Sequence, residues 1–166
     1  MSKFNFSTWL SSSGGPLIVM DESRAKLWTG IDGQPSDYDL ACQVNDYAEK
    51  LTVHDSQVMV LGDEPLQTAI ATADGLQLIV RWRWAESETD VEAEVEKIDF
   101  GSILYIENLV VEWADRKLVV FDAADTFEAG ACLTFQIQSP RSEVLTFIYD
   151  PTPDTSLLIH VIKPLA

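Results

Sequence analysis

The chain is poor in the residues that do most chemistry. Among its 166 residues are two cysteines and two histidines. Cys42 and Cys132 are 90 positions apart and belong to no C-x-x-C pair, so neither a disulfide scaffold nor a thiol redox motif is indicated. Their apolar neighbours suggest buried free thiols. His54 and His160 share no metal-binding spacing, and a zinc site would have to gather both with Cys42 and Cys132 from four remote segments. Asp32–Asp39 is acidic but does not match a calcium loop. No G-x-S-x-G elbow and no phosphate-cradling glycine loop occurs. No catalytic residue, metal or cofactor is therefore expected. His54, beside Asp55 at a turn, reads as exposed, and His160, in the last strand, as a satisfied structural histidine.

Long apolar runs are also missing. No stretch approaches the ~18 residues of a membrane span, and Met1–Ser7 lacks an apolar run of leader length. The expectation is a cytoplasmic protein, folded as one domain over residues 1–166. Positive charge is scarce too. Eleven basic residues face 27 acidic ones, a formal charge of −16. That balance repels nucleic acid phosphates and anionic lipid, so neither is an expected partner. Solubility alone asks for about 2–8 units in a small domain. The excess favours a cationic protein partner, which such a field draws in faster.

What is present reads mainly as β-strand. Leu76–Trp84 alternates, with apolar residues at 76, 78, 80, 82 and 84 and with Arg81 and Arg83 opposite. Ala131–Gln138 places Ala131, Leu133, Phe135 and Ile137 on one face. Runs 16–20, 57–61, 118–121, 144–149 and 157–162 are apolar on both faces, as in central strands; 103–113 and 67–72 are further candidates. The turn-formers Ser13–Pro16, Asp32–Gly33, Gly62–Pro65, Asp74–Gly75 and Asp150–Pro153 fall between them. The expected fold is α+β and mainly β, with one or two short helices and a largely antiparallel sheet, as a sandwich or a partly open barrel. The five tryptophans are most simply core, with Trp9 and Trp28 near loops.

Two segments carry helical spacing. Asp37–Tyr47 spaces Leu40, Val44 and Tyr47 for about three turns, and Ser36 with Asp39 forms a capping box at its start. Glu86–Asp99 places acids at 86, 88, 90, 92, 94 and 96, an alternation that also suits a strand. Val91, Val95 and Ile98 form a helical stripe, and Thr89 with Glu92 a capping box, so helix is the better reading.

Several blocks in chain order resemble the Immunity protein 21 family of bacterial polymorphic toxin systems. They are Trp9–Ile18, Asp37–Cys42 with Asp46–Tyr47, Gly62–Thr68, Val80–Trp84, Phe121–Ala124 and Leu157–His160. The resemblance implies a non-enzymatic antidote that binds and neutralises a cognate toxin in the producing cell or its siblings. Together with the charge, it implies a basic toxin blocked by direct occlusion. The candidate contact residues are Glu86, Glu88, Asp90, Glu92, Glu94 and Glu96, with Asp63 and Glu64 in the turn. The alternatives are an acidic structural or regulatory binding module with no toxin, and a carboxylate-dependent hydrolase.

Overall fold

A computed structural model describes residues 3–12 and 14–166; Met1, Ser2 and Ser13 of the Ser13–Pro16 turn lie outside it. Among the described residues, eleven strands form two antiparallel sheets that face each other without closing into a barrel. The six-stranded sheet contains β1 (Asn5–Phe6), β5 (Gln67–Ala73), β6 (Leu76–Trp84), β11 (Thr155–Pro164), β10 (Arg141–Thr152) and β7 (Glu107–Glu112), in that order. The five-stranded sheet runs β3 (Ala48–Val53), β4 (Ser56–Leu61), β2 (Leu17–Asp21), β8 (Lys117–Asp122) and β9 (Leu133–Gln136). Between the sheets lies a core of Leu17, Val19, Met59, Ile70, Ile79, Leu118 and Val144 with their neighbours.

Each sheet is covered on its outer face as well, so the sandwich has four layers. Helix α2 (Glu88–Glu96) sets Val91 and Val95, followed by Ile98, onto Leu78 and Val80 of β6 and Leu157, Ile159 and Val161 of β11. Ala25 and Trp28, from and just after a 3-10 segment (Glu22–Leu27), and Ala41 of α1 (Asp37–Ala41) pack on Ile18 and Met20 of β2 and Phe121 of β8. This double covering explains the runs that are apolar on both faces: all five residues of β2 are buried. It also explains why the expected apolar face of β6 lies under α2, while Ile79 and Arg81 point between the sheets.

Several local expectations are corrected. Helix α1 spans five residues rather than three turns, because the chain must turn at Cys42–Tyr47 to feed β3. Its capping box stands, with Ser36 Oγ accepting from the Asp39 amide at 3.0 Å and the Ser36 amide donating to Asp39 Oδ2 at 3.1 Å. Helix α2 is capped by Ser87, not Thr89: Ser87 Oγ accepts from the Asp90 amide at 3.1 Å. Strand β3 and the two-residue β1 were not expected, and the strand read from 103 begins at Glu107. Ala131 is exposed, while Leu133, Phe135 and Ile137 are buried as the alternation requires. Cys42 is exposed and Cys132 only half-buried, because both sit where helical turns end rather than in the core. Trp28 and Trp113 are core, but Trp84, the last residue of β6, is 48% exposed.

Candidate functional site

Strand register assembles one end of the sandwich from segments far apart in sequence. Leu17 at the start of β2 pairs with Leu61 and Asp122, and Leu61 pairs with Ala48. The loops 42–47 and 62–66 and the turn after Asp122 therefore emerge together. In the other sheet Gln67 opposes Trp82, and Trp84 opposes Ser156 beside the β10–β11 hairpin. Arg81 shows that these two sets of loops share an end. Its Nη2 donates to the carbonyls of Gly62 (2.5 Å) and Glu64 (3.0 Å), and its Nη1 to that of Tyr47 (3.3 Å).

Arg81 is 1% exposed, a buried cation that sequence alternation alone does not reveal. Burial lowers its pKa to about 10, while Asp63 and Glu107 pull the other way, so it stays charged at neutral pH. Glu107 in turn accepts from the amides of Tyr47 (2.9 Å) and Ala48 (3.0 Å), binding the edge of one sheet to the start of the other. No side chain fits at Gly62, where a Cβ would overlap the Asp46 carbonyl oxygen. Asp63 adopts a left-handed backbone with φ 67°, held in place by these bonds.

Behind Arg81 is His160, fully buried, with Nε2 at 3.4 Å from Arg81 Nη1 and Nδ1 at 2.7 Å from Thr146 Oγ1. A guanidinium only donates, so Nε2 accepts and Nδ1–H donates to the threonine hydroxyl. His160 is thus the satisfied structural histidine read from the sequence. Burial first, and the Arg81 charge second, hold its pKa well below the ordinary value of 6.5. Below about pH 6.5 the unfolded chain takes up a proton here that the native state refuses. This group's share of stability should therefore fall on acidification, by up to ~1.4 kcal/mol per pH unit. Asp21, whose pKa is raised from 3.8 by burial, has the opposite sign and acts nearer its own range. Urea unfolding at pH 7.5, 6.0 and 5.0 should show a slope in the native protein that is reduced in His160→Gln. His54 is mainly exposed, on the β3–β4 turn, and its Nε2 meets Asp37 Oδ2 at 2.8 Å.

The predicted acidic residues divide between the two ends. Glu86, Glu88 and Asp90 are exposed where β6 leads into α2, at the end that also carries exposed Asp63 and Glu64. Glu92 is half-buried lower on α2. Glu94 and Glu96 serve the fold: Glu94 pairs with Lys97 at 3.2 Å, and Glu96 accepts from the amides of Lys3 and Phe4, both at 2.8 Å. Sequence reasoning missed Asp46, Asp150 and Asp154, exposed acids that only the register brings to the Arg81 end.

Basic residues follow the opposite distribution. Lys97 ends α2, Arg116 and Lys117 occupy the β7–β8 hairpin, Arg141 starts β10 and Lys163 lies near the end of β11. At the acidic end the described basic side chains are engaged: Arg81 as above, Arg83 over the Trp84 ring (4.9 Å) and donating to Ser156 Oγ, and Lys50 donating to the Val110 carbonyl. The Trp84 indole is itself tied to the Pro153 carbonyl at 3.2 Å. The outcome is a rigid end rich in carboxylates.

The sequence profile of the family described as Immunity protein 21 matches residues 8–144, most of the chain. The chain belongs to the Immunity protein 21 family. No curated protein and no solved structure matches it. The matched span covers the loops of the acidic end up to Ala124, Arg81 and all of α2; His160 and the β10–β11 hairpin lie beyond it. Membership supports an immunity role that involves binding a toxin protein. No helix among the described residues is long and apolar enough to cross a membrane.

Proposed function

We propose that this protein neutralises a basic toxin domain by binding it directly and occluding its working cleft, acting by affinity rather than catalysis, in the cytoplasm of the producing cell or its siblings. The observation that carries the reading is an imbalance of charge: the opposite end also bears exposed acids, among them Asp55, Asp74 and Asp115, but sets them among Arg116, Lys117, Arg141 and Lys163. Glu86, Glu88, Asp90, Asp63 and Glu64 share one end of the sandwich with Asp46, Asp150 and Asp154, and the basic side chains there are internally engaged. A clustered field of one sign steers an oppositely charged partner and sets its orientation. Loops held by Arg81 and Glu107 present that field with little ordering left to do on binding, which preserves affinity. Glu92, on the same helix, flanks this surface, whereas Glu94 and Glu96 have structural partners and contribute field rather than contact.

An antidote must outlast its toxin, so a Kd near or below 1 nM is expected, about −12 kcal/mol. A standard interface of roughly 800 Å² per partner is sufficient if it contains a few well-packed anchors. The test is a titration of the purified toxin domain against this protein. Toxin activity should fall linearly and vanish at one equivalent. Full activity in the presence of a tenfold excess would refute direct occlusion.

A further inference from the structure

Leu104 and Ile106 are 89% and 52% exposed, an unusual pair for a segment laid along a sheet. They alternate with Ile103 and Tyr105, which turn inward onto the outer face of the six-stranded sheet. The Tyr105 ring meets Phe147 edge-on at 5.7 Å, and the Ile106 amide donates to the Thr146 carbonyl at 2.8 Å. The alternation is therefore pinned, and the two aliphatic side chains stay outward. Directly after them Glu107 makes its bonds to Tyr47 and Ala48, and Asn108 and Leu109 form one wall of a groove of about 570 Å³ between β7 and β3. Asp46 and Glu49 line the same groove; Lys50 lines it too, with its Nζ turned to the Val110 carbonyl at 3.1 Å, so the three carboxylates of Asp46, Glu49 and Glu107 outnumber the one cation.

Single exposed hydrophobes are ordinary on a protein surface. Two held rigidly outward beside a carboxylate-lined groove offer what a binding site needs, an apolar anchor with a charged rim. A second copy of this chain is a poor occupant, since it would bring another −16 charge against the first. A basic partner is complementary. We propose that Leu104 and Ile106 are the apolar anchors of the toxin interface, and that the groove between β7 and β3 receives a cationic side chain of the toxin. This rests on the reading of the chain as an antidote, and it divides the labour between two parts of the surface, since the segment crosses the middle of β10 rather than the loop end. The carboxylates of α2 govern arrival, and Leu104 and Ile106 govern release.

The test uses the cognate toxin domain, made without its activity and immobilised. Leu104→Ser/Ile106→Ser should keep the native melting temperature, because neither side chain is buried. Its dissociation rate should rise about 10- to 100-fold with association changed less than about twofold. A wild-type dissociation rate in the double variant, from a toxin that the native protein binds tightly, overturns the anchors and leaves the antidote reading intact. Failure of the native protein to bind overturns both. A dimer of the free protein that the substitutions dissociate would assign the pair to self-association, and would also overturn the proposal.

Discussion

Replacing Arg81 with leucine should destabilise the protein by about 3–5 kcal/mol, because buried and half-buried carbonyls lose their donor. For a chain of this size that corresponds to a melting temperature lower by roughly 6–20 °C. The carbonyls of Tyr47, Gly62 and Glu64 converge on one guanidinium; that of Tyr47 also accepts from the Gly62 amide at 2.9 Å, while those of Gly62 and Glu64 take Arg81 as their donor. Asp63 and Glu107 would lose the cation whose charge they balance, and His160 Nε2 would lose the donor at Arg81 Nη1. Lysine at 81 keeps the charge but not the planar fork, so it should recover only part of the loss. Calorimetry on the three proteins measures this, and a shift within the ordinary range of a surface substitution, about 0.5 kcal/mol, would refute the role given to Arg81.

The largest kinetic effect should come from Glu86→Gln/Glu88→Gln/Asp90→Asn. These three side chains are exposed and have no ion-pair partner among the described residues, so neutralising them should leave the fold in place. Asp63 is kept, because it balances Arg81. Glu88 and Asp90 also lie in the first turn of α2, where negative charge favours the helix, so a small stability loss of about 1 kcal/mol is expected. Association with a basic toxin should slow by about tenfold or more at low salt. The dissociation rate should barely move, since rim charges act on the encounter more than on the packed complex.

The sheet-forming pattern was largely legible in the sequence, because alternation and turn chemistry are local. The Asp74–Gly75 hairpin appears as read, and so does the period-two face of β6 from Leu76 to Trp82, with Trp84 left exposed at its end. What that face packs against was not legible. The covering by α2 is a long-range arrangement, and only it explains why Arg81 points between the sheets. Strand β3 escaped notice because Glu49 and Lys50 break its apolar pattern, and an edge strand with one neighbour needs no continuous apolar run. The helical spacing of Asp37–Tyr47 continues past the true end of α1, since periodicity does not register where the backbone must turn back into a sheet. The acidic residues were visible as a charge run in α2. Their separation into exposed carboxylates at one end and Glu94 and Glu96 at the other depends on where α2 lies across the sheet. Asp46, Asp150 and Asp154 join them only through strand register, which no local pattern encodes.

The central claim, that the carboxylate-rich end meets the toxin, is tested most directly by stopped-flow association rates across a range of ionic strength. The native protein should be compared with the triple variant at Glu86, Glu88 and Asp90, and with Asp55→Asn/Asp74→Asn/Asp115→Asn, which removes the same charge from the hairpins at the opposite end. The native rate and that of the opposite-end variant should both fall steeply with salt, while the triple variant starts lower, falls less, and meets them where screening is complete. Equal rates and equal salt slopes for the native protein and the triple variant, or a larger loss in the opposite-end variant, would contradict the account.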